Sequence, residues 1–168
     1  MQNALDEVYK DDSYFYKFSG DTQAESASVV MDYQGHIVGI VGGRGEKTQS
    51  LSWNRATVAT RQPGSTFKPL SAYTPAIEND LINFGTNVKS TAYTSPIDNH
   101  TIKNNLGTSS ISVQKGLERS SNTAPAWIIT DLTVDYSYNY LTTRFGLTLS
   151  DADKDMAPLA VGATSGGP

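Results

Sequence analysis

Two β-rich segments lie close together near the start of the chain, and the longest helix signals follow them. The segments are Ser28–Met31 and His36–Val41, and Asp32-Tyr33-Gln34-Gly35 between them is typical of a hairpin turn. Helix signals occur at about residues 1–10, 112–118, 123–131 and 134–144. Strands followed mainly by helices are typical of the α+β class, which we therefore predict.

The remaining segments have the composition of loops and connections. Residues 11–25 are polar with scattered aromatics, residues 46–62 lack periodicity, and residues 83–110 are rich in Asn, Thr, Ser and Gly. Gly146 stands where a residue that ends the last long helix is expected. The tail from Gly162 is expected to be a loop.

The composition excludes several classes of function. A net charge of −4 offers no basic face to phosphates, so we expect no nucleic-acid partner. The chain has no cysteine and only His36 and His100 as histidines, so we predict no disulfide, no metal site and no cofactor. No run approaches about 18 apolar residues, and we expect any membrane anchor of the protein to lie outside this chain.

The segment around Ser65 and Lys68 has the residues of a nucleophile and its base. Pro69 has no N–H and its ring clashes with the carbonyl four residues back, so a helix should begin with Ser65 at or within one residue of its N-cap. Lys68 then lies on the same helical face. A lysine amine of lowered pKa can take the proton of a hydroxyl. Because Ser-x-x-Lys is short, a serine that merely caps a helix remains the alternative.

A second polar group, Ser120-Ser121-Asn122, lies between two predicted helices. Side chains two residues apart in an extended stretch point the same way, so the Ser120 hydroxyl and the Asn122 carboxamide could face one cleft. The alternative is an ordinary turn whose polar side chains cap the neighbouring helices.

Taken together, these motifs resemble the transpeptidase domain of class A high-molecular-weight penicillin-binding proteins. The resemblance rests on Asn54-Arg55-Ala56-Thr57, Arg61-Gln62-Pro63-Gly64-Ser65-Thr66-Phe67-Lys68-Pro69, Ser120-Ser121-Asn122, the hairpin ending in Val41-Gly42-Gly43-Arg44, and Ala163-Thr164-Ser165-Gly166-Gly167-Pro168. It implies an incomplete penicillin-binding-protein/serine β-lactamase-like transpeptidase fold, with an N-terminal β-hairpin plus a helical lobe. Residues 1–26 would be a linker or helical lead-in, and residues 27–168 a truncated transpeptidase domain.

The resemblance also implies a function at the outer face of the bacterial cell membrane. Ser65 would attack the penultimate D-Ala carbonyl of a peptidoglycan stem peptide, and Lys68 would be the base. Ser120 would relay protons, and Asn122 would hold the substrate amide and orient Lys68. The amine of a second stem peptide would resolve the acyl-enzyme and cross-link two strands, and β-lactams would acylate Ser65 in the same way.

The sequence departs from the family in one motif. No Lys-Thr-Gly or Lys-Ser-Gly occurs, and Lys47-Thr48-Gln49 lacks the glycine and precedes Ser65. The strand carrying that motif would supply an oxyanion-hole N–H, and losing one such donor slows a protease by about a hundred- to a thousand-fold. We therefore interpret the chain as a fragment with impaired activity. A two-stranded hairpin is marginal alone, so we expect self-association through its edge or pairing with a missing C-terminal half.

Two other functions fit parts of the sequence. A serine β-lactamase or a β-lactam sensor could share the fold, although no Glu follows Asn122 to drive hydrolysis of an acyl-enzyme. A non-catalytic peptidoglycan-binding domain is the rival from another class, and in it Ser65 would only cap its helix. The lifetime of a penicillin adduct would distinguish the first from a transpeptidase.

Overall fold

The computed structural model describes residues 1–165, and the chain divides into two compact units. The first unit is Met1–Ala59 and the second is Thr60–Pro168. Within residues 1–165, no helix has both the length and the apolar character needed to cross a membrane. The last three residues of the Ala163–Pro168 resemblance lie outside the described part of the chain.

The first unit contains a hairpin and two helices. Its elements are α1 (Gln2–Lys10), a 3-10 turn (Asp12–Tyr14), β1 (Ser28–Met31), β2 (Ile37–Val41) and α2 (Arg55–Val58). The predicted first helix and hairpin are confirmed, although β2 begins one residue later than predicted. The prediction of an uninterrupted loop over 46–62 is wrong, because the Asn54 side chain accepts a hydrogen bond from the Ala56 N–H (3.0 Å) and starts a one-turn helix.

The two edges of the hairpin differ in what covers them. The Gln2 side chain accepts from the Ile40 N–H (2.8 Å) and donates to the Ile40 carbonyl (3.0 Å), so it occupies the outer edge of β2. The backbone N–H and C=O of Ile40 point away from β1. Residues directly opposite each other in an antiparallel pair point these groups in opposite directions, so Val29 presents its own N–H and C=O on the outer side of β1. The side chains of Val29 and Met31 are 42% and 57% exposed.

The second unit carries the remaining helices and four short strands. It contains a helical segment over residues 64–78, β3 (Asn87–Lys89), β4 (Tyr93–Thr94), β5 (Thr101–Ile102), β6 (Ser110–Ser112), α4 (Val113–Glu118), α5 (Thr123–Leu132), α6 (Val134–Arg144), a 3-10 turn (Asp151–Asp153) and α7 (Met156–Val161). Strand β3 pairs with β6 and β4 with β5, both antiparallel. Helices α4 to α6 are confirmed, and Gly146 follows α6 with φ +65° as predicted.

The prediction that residues 83–110 are irregular is wrong. Strands of two or three residues are too short to show alternation of polar and apolar side chains, so the sequence gives them no periodic signal. Strands β3 and β6 are also separated by the segment that contains β4 and β5, so their pairing leaves no local pattern in the sequence.

The segment over residues 64–78, here called the composite helix, changes its winding twice. It is a 3-10 helix over Gly64–Phe67, a π-helix over Pro69–Tyr73 and an α-helix (α3) over Thr74–Glu78. Pro75 has no N–H to donate to the Ser71 carbonyl, and the Ser137 hydroxyl of α6 donates to that carbonyl instead (2.7 Å). The Ser71 carbonyl at the widened turn thus receives its hydrogen bond from a neighbouring helix.

Helix α5 packs against both the composite helix and α7. The fully or almost fully buried side chains of this core include Phe67, Ala72, Tyr73, Ala76, Ile128, Ile129, Leu141 and Leu159. The Ser71 hydroxyl also donates to the Leu159 carbonyl of α7 (2.7 Å). The composite helix is therefore fixed by packing against α5 and α7 and by hydrogen bonds with α6 and α7.

The carboxylate of Asp153 ties the chain after α7 to the turn before it. It is 2% exposed and accepts hydrogen bonds from the N–H and hydroxyl groups of both Ser150 and Ser165. Burial by itself raises the pKa of Asp153, but these hydrogen bonds outweigh it and hold the pKa below its ordinary value of 3.8.

We expect Asp153→Asn to lower the free energy of unfolding by about 1–3 kcal/mol near neutral pH, since the bonds to a charged acceptor are lost. A depressed folded-state pKa stabilises the fold above the unfolded-state value and loses that contribution as pH falls through the folded-state value. The difference in the free energy of unfolding between variant and wild type should therefore become smaller below about pH 4. Urea unfolding from pH 3 to 7 measures it, with Asp151→Asn, an exposed carboxylate in the same turn, as the control. A gap that stays constant with pH would contradict the assignment.

Candidate active site

The amine of Lys68 is buried and surrounded by three oxygens of one turn. Its Nζ donates to the Asn122 Oδ1 (2.7 Å), to the Ser120 carbonyl (3.0 Å) and to the Ser120 Oγ (3.2 Å), and the residue is only 2% exposed. The three partners are neutral. Burial lowers the pKa of Lys68 from its ordinary value of 10.5. Three of the four residues predicted from the sequence thus meet at one point.

Ser120 adopts a backbone conformation that favours glycine. Its φ is +51°, its N–H donates to the Leu117 carbonyl (3.1 Å), and the Ser121 N–H donates to the Gly116 carbonyl (2.8 Å). These two bonds form the Schellman pattern that ends α4, with Ser120 at the left-handed position after the helix. A non-glycine residue there costs roughly 1–2 kcal/mol. Serine is strained at this position, but unlike glycine it supplies a hydroxyl to Lys68.

The carboxamide of Asn122 is free for Lys68 because another residue caps α5. The buried Ser121 Oγ accepts from the Ala124 N–H (3.1 Å), whereas the Asn122 side chain makes no capping bond. Thr123, also buried, donates to the Ser90 carbonyl (3.0 Å) and fixes the start of α5 beside β3. The capping reading of this turn is therefore true of Ser121 and not of Asn122.

Asn105 joins the two ends of the same turn. Its Oδ1 accepts from the Asn122 N–H (2.9 Å), and its Nδ2 donates to the Ser120 carbonyl (3.3 Å). Asn105 was not predicted from the sequence, because it stands in a polar loop among several similar residues and nothing in the local pattern singles it out.

Ser65 lies one turn before Lys68, with its side chain exposed. Pro63 occupies the N-cap, so Ser65 is the second residue of the composite helix, one position further in than predicted. The reason is the preceding Gly64, which takes φ +58° and begins the 3-10 turn itself. Within residues 1–165 the Ser65 hydroxyl has no hydrogen-bond partner, so it makes no hydrogen bond to Lys68.

Gly162, which ends α7 with φ +73°, positions the residue before Ser65. The Gly64 N–H donates to the Gly162 carbonyl (3.0 Å). A Cβ at position 162 would overlap the carbonyl group of Gly64. The close approach of two backbones therefore requires glycine at this point. From the sequence, Gly162 was predicted only to lie in a loop-like tail, since its long-range backbone contact with Gly64 leaves no local signal.

The model of the penicillin-binding protein transpeptidase domain matches residues 26–154, which include Ser65, Lys68, Ser120 and Asn122. The chain belongs to this family. The resemblance drawn from the motifs is thereby confirmed, and the match also covers the hairpin.

Relatives and solved structures agree with the family. The chain is 31% identical over 153 residues to penicillin-binding protein 2a of Streptococcus pneumoniae, covering 88% of the chain and 20% of that protein. It is 32% identical over 181 residues to penicillin-binding protein 1A of Clostridium acetobutylicum, covering 99% of the chain and 22% of that protein. The chain thus spans about a fifth of the length of these relatives.

One solved structure shows the same fold. The PonA1 protein of Mycobacterium tuberculosis, in complex with penicillin V, superposes with a TM-score of 0.74 at 22% identity, covering 97% of this chain and 44% of that one. The predicted α+β transpeptidase fold is therefore confirmed. Among residues 1–165, no group of three or more His, Cys, Asp or Glu side chains is placed to hold a metal ion.

We expect Gly162→Ala to destabilise the chain more than Gly146→Ala does. Both glycines have positive φ, so each alanine should cost about 1–2 kcal/mol in backbone strain. Only the Cβ at position 162 meets backbone, whereas the one at 146 meets open space, so Gly162→Ala should cost a further 1–3 kcal/mol or so. Urea unfolding of the two variants measures the difference. Equal losses would show that the contact with Gly64 carries no constraint.

Proposed function

We propose that this chain is the nucleophile-bearing part of a D,D-transpeptidase that cross-links peptidoglycan stem peptides through a serine acyl-enzyme. Family membership supports the reaction class. The observation that carries the proposal is the buried Lys68 amine, held by Ser120 and Asn122 one turn from an exposed Ser65. A helix-capping role for Ser65 gives no reason to bury an amine beside it.

The proposed acylation begins with the neutral amine of Lys68. As the Ser65 Oγ forms a bond to the carbonyl carbon of the penultimate D-Ala, its proton passes to Lys68. The C–N bond to the terminal D-Ala then breaks, and the departing nitrogen takes a proton from Lys68 through the Ser120 hydroxyl. The amine of a second stem peptide attacks the ester, loses a proton by the reverse route and releases Ser65.

The surroundings of Lys68 suit a base. A lysine must be unprotonated to accept a proton, and burial lowers its pKa, which raises the fraction of neutral amine. In the neutral form, two N–H groups can serve the Ser120 carbonyl and the Asn122 carboxamide. The Ser120 hydroxyl, 3.2 Å away, can then donate to the lone pair. This arrangement supports Ser120 as the proton relay and Asn122 as the residue that orients the amine.

The proposed partners follow from the family. Penicillin-binding proteins bind β-lactams and peptidoglycan stem peptides, and they act outside the cytoplasm. We place this chain at the outer face of the bacterial cell membrane, with a stem peptide ending in D-Ala-D-Ala as substrate and β-lactams as acylating inhibitors. The β-lactamase alternative differs in the fate of the adduct, which a β-lactamase hydrolyses and a transpeptidase should keep for long periods.

We expect incubation with excess benzylpenicillin to add one penicillin mass to the chain, and Ser65→Ala to abolish the addition. The reaction should be slow, because the sequence lacks the motif that supplies a second oxyanion-hole donor, so millimolar penicillin and hours of incubation are appropriate. Intact-mass analysis measures the adduct, and fragmentation should place it on the peptide containing Ser65. Thr66→Ser, which keeps the neighbouring hydroxyl and its bond to the Pro63 carbonyl, is the matched control. An undiminished adduct in Ser65→Ala would contradict the proposed nucleophile.

We also propose that the isolated chain self-associates through the outer edge of β1. That edge presents the N–H and C=O of Val29, and the adjacent apolar side chains of Val29 and Met31 are exposed. The opposite edge is closed at Ile40 by Gln2. An unprotected strand edge is a template for pairing with another copy.

We expect the mass measured by light scattering to rise with protein concentration, and Val29→Pro to keep the chain monomeric. Proline removes an outward N–H without removing a bond to β2, and edge strands tolerate it. The control is Val30→Thr, which alters a neighbouring side chain and leaves the outward backbone of Val29 intact. A wild-type monomer over the whole concentration range would contradict the pairing.

A further inference from the structure

We infer that Asn105 is a positioning residue of this site, which holds Lys68 in place by clamping the Ser120–Asn122 turn. The inference rests on the proposed function for its chemical meaning, since it concerns the same amine. Asn105 lies outside both sequence motifs of the site.

A single carboxamide spans the turn. The Asn105 Oδ1 accepts from the Asn122 N–H (2.9 Å), and the Nδ2 donates to the Ser120 carbonyl (3.3 Å). The side chain thus bonds one backbone group at each end of the three-residue turn Ser120–Asn122. All three acceptors of Lys68 belong to the two residues that Asn105 contacts.

The turn needs such a clamp. Ser120 is held at φ +51°, a conformation that costs a non-glycine residue roughly 1–2 kcal/mol and persists only where its surroundings enforce it. The Ser120 carbonyl accepts from Asn105 on one side and from Lys68 on the other. If the first bond is lost, the peptide can rotate toward a relaxed conformation and carry its carbonyl away from the amine.

The chemical consequence concerns the protonation of Lys68. No charged side chain of the composite helix, α4 or α5 is among its hydrogen-bond partners, and burial is what lowers its pKa. A loosened turn admits water to the amine, so its pKa returns toward the ordinary value and a smaller fraction is neutral at pH 7. Asn105 therefore acts on the base through the turn, without touching the substrate itself.

The neighbouring Asn104 provides a matched control. It accepts from the Leu106 and Gly107 N–H groups (2.9 and 3.1 Å) and donates to the Thr108 carbonyl (2.7 Å), so its bonds stay within its own loop. The variants are Asn105→Ala, Asn105→Asp, Asn104→Ala and Asn104→Asp. Asn105→Asp keeps the acceptor for Asn122 but loses the donor to Ser120, so it separates the two bonds and preserves half of the clamp.

The first readout is the pKa of Lys68 itself, from an NMR titration of the full chain with lysine labelled at Cε. Lys68→Ala identifies the signal. We expect Asn105→Ala to raise the Lys68 pKa toward its ordinary value, which lowers the fraction of neutral amine at neutral pH. Asn105→Asp should raise it at least as much, because it adds a negative charge, and the Asn104 variants should raise it much less. An unchanged pKa in Asn105→Ala, with a native circular dichroism spectrum, would overturn the inference.

The second readout is the rate of penicillin acylation from pH 6 to 10. We expect the rising limb of the profile to move to higher pH in Asn105→Ala and Asn105→Asp, with the rate at high pH largely recovered. An acylation rate that is lowered by the same factor at every pH would indicate a merely structural role and would also overturn the inference. If the wild type is not acylated at all, the proposed function fails, while the Lys68 titration still decides the role of Asn105.

Discussion

The amine of Lys68 is buried and donates hydrogen bonds to three neutral oxygens. The second unit is arranged around these hydrogen bonds. Lys68 comes from the composite helix, and its acceptors come from the turn between α4 and α5, more than fifty residues further along the chain. Leaving a buried amine without partners would cost several kcal/mol, so the helix and the turn must be placed together. The packing of α5 against the composite helix and α7 supplies that placement.

Exposed ion pairs contribute little by comparison. Arg55 with Glu25, Lys115 with Glu118 and Lys154 with Asp135 each include side chains that are a third or more exposed, and such pairs are worth about 0–1 kcal/mol. The burial of Asp153 and Lys68 matters more, because each is only 2% exposed and makes several hydrogen bonds. Both groups keep partners that are neutral, which leaves their pKa values open to tuning by hydrogen bonding and burial alone.

The sequence predicted those parts of the molecule that have local patterns. The hairpin and helices α4 to α6 repeat polar and apolar residues over several positions, and Ser65, Lys68, Ser120 and Asn122 stand in short motifs. The two-residue and three-residue strands carry no such pattern. The contacts of Asn105, Gly162 and Asp153 join segments far apart in the chain or depend on backbone geometry, so a residue list shows no trace of them. The same applies to the altered winding after Pro69, where the Ser137 hydroxyl of another helix donates to the Ser71 carbonyl.

At Ser120, the stability of the fold and the chemistry of the site favour different residues. A glycine there would relieve the left-handed strain and make a firmer end to α4, but it would delete the hydroxyl beside the amine. Any procedure that ranks substitutions by fold stability alone should therefore favour losing this side chain. Thermal robustness and chemical competence are opposing quantities at this residue, and the chain carries the less stable choice.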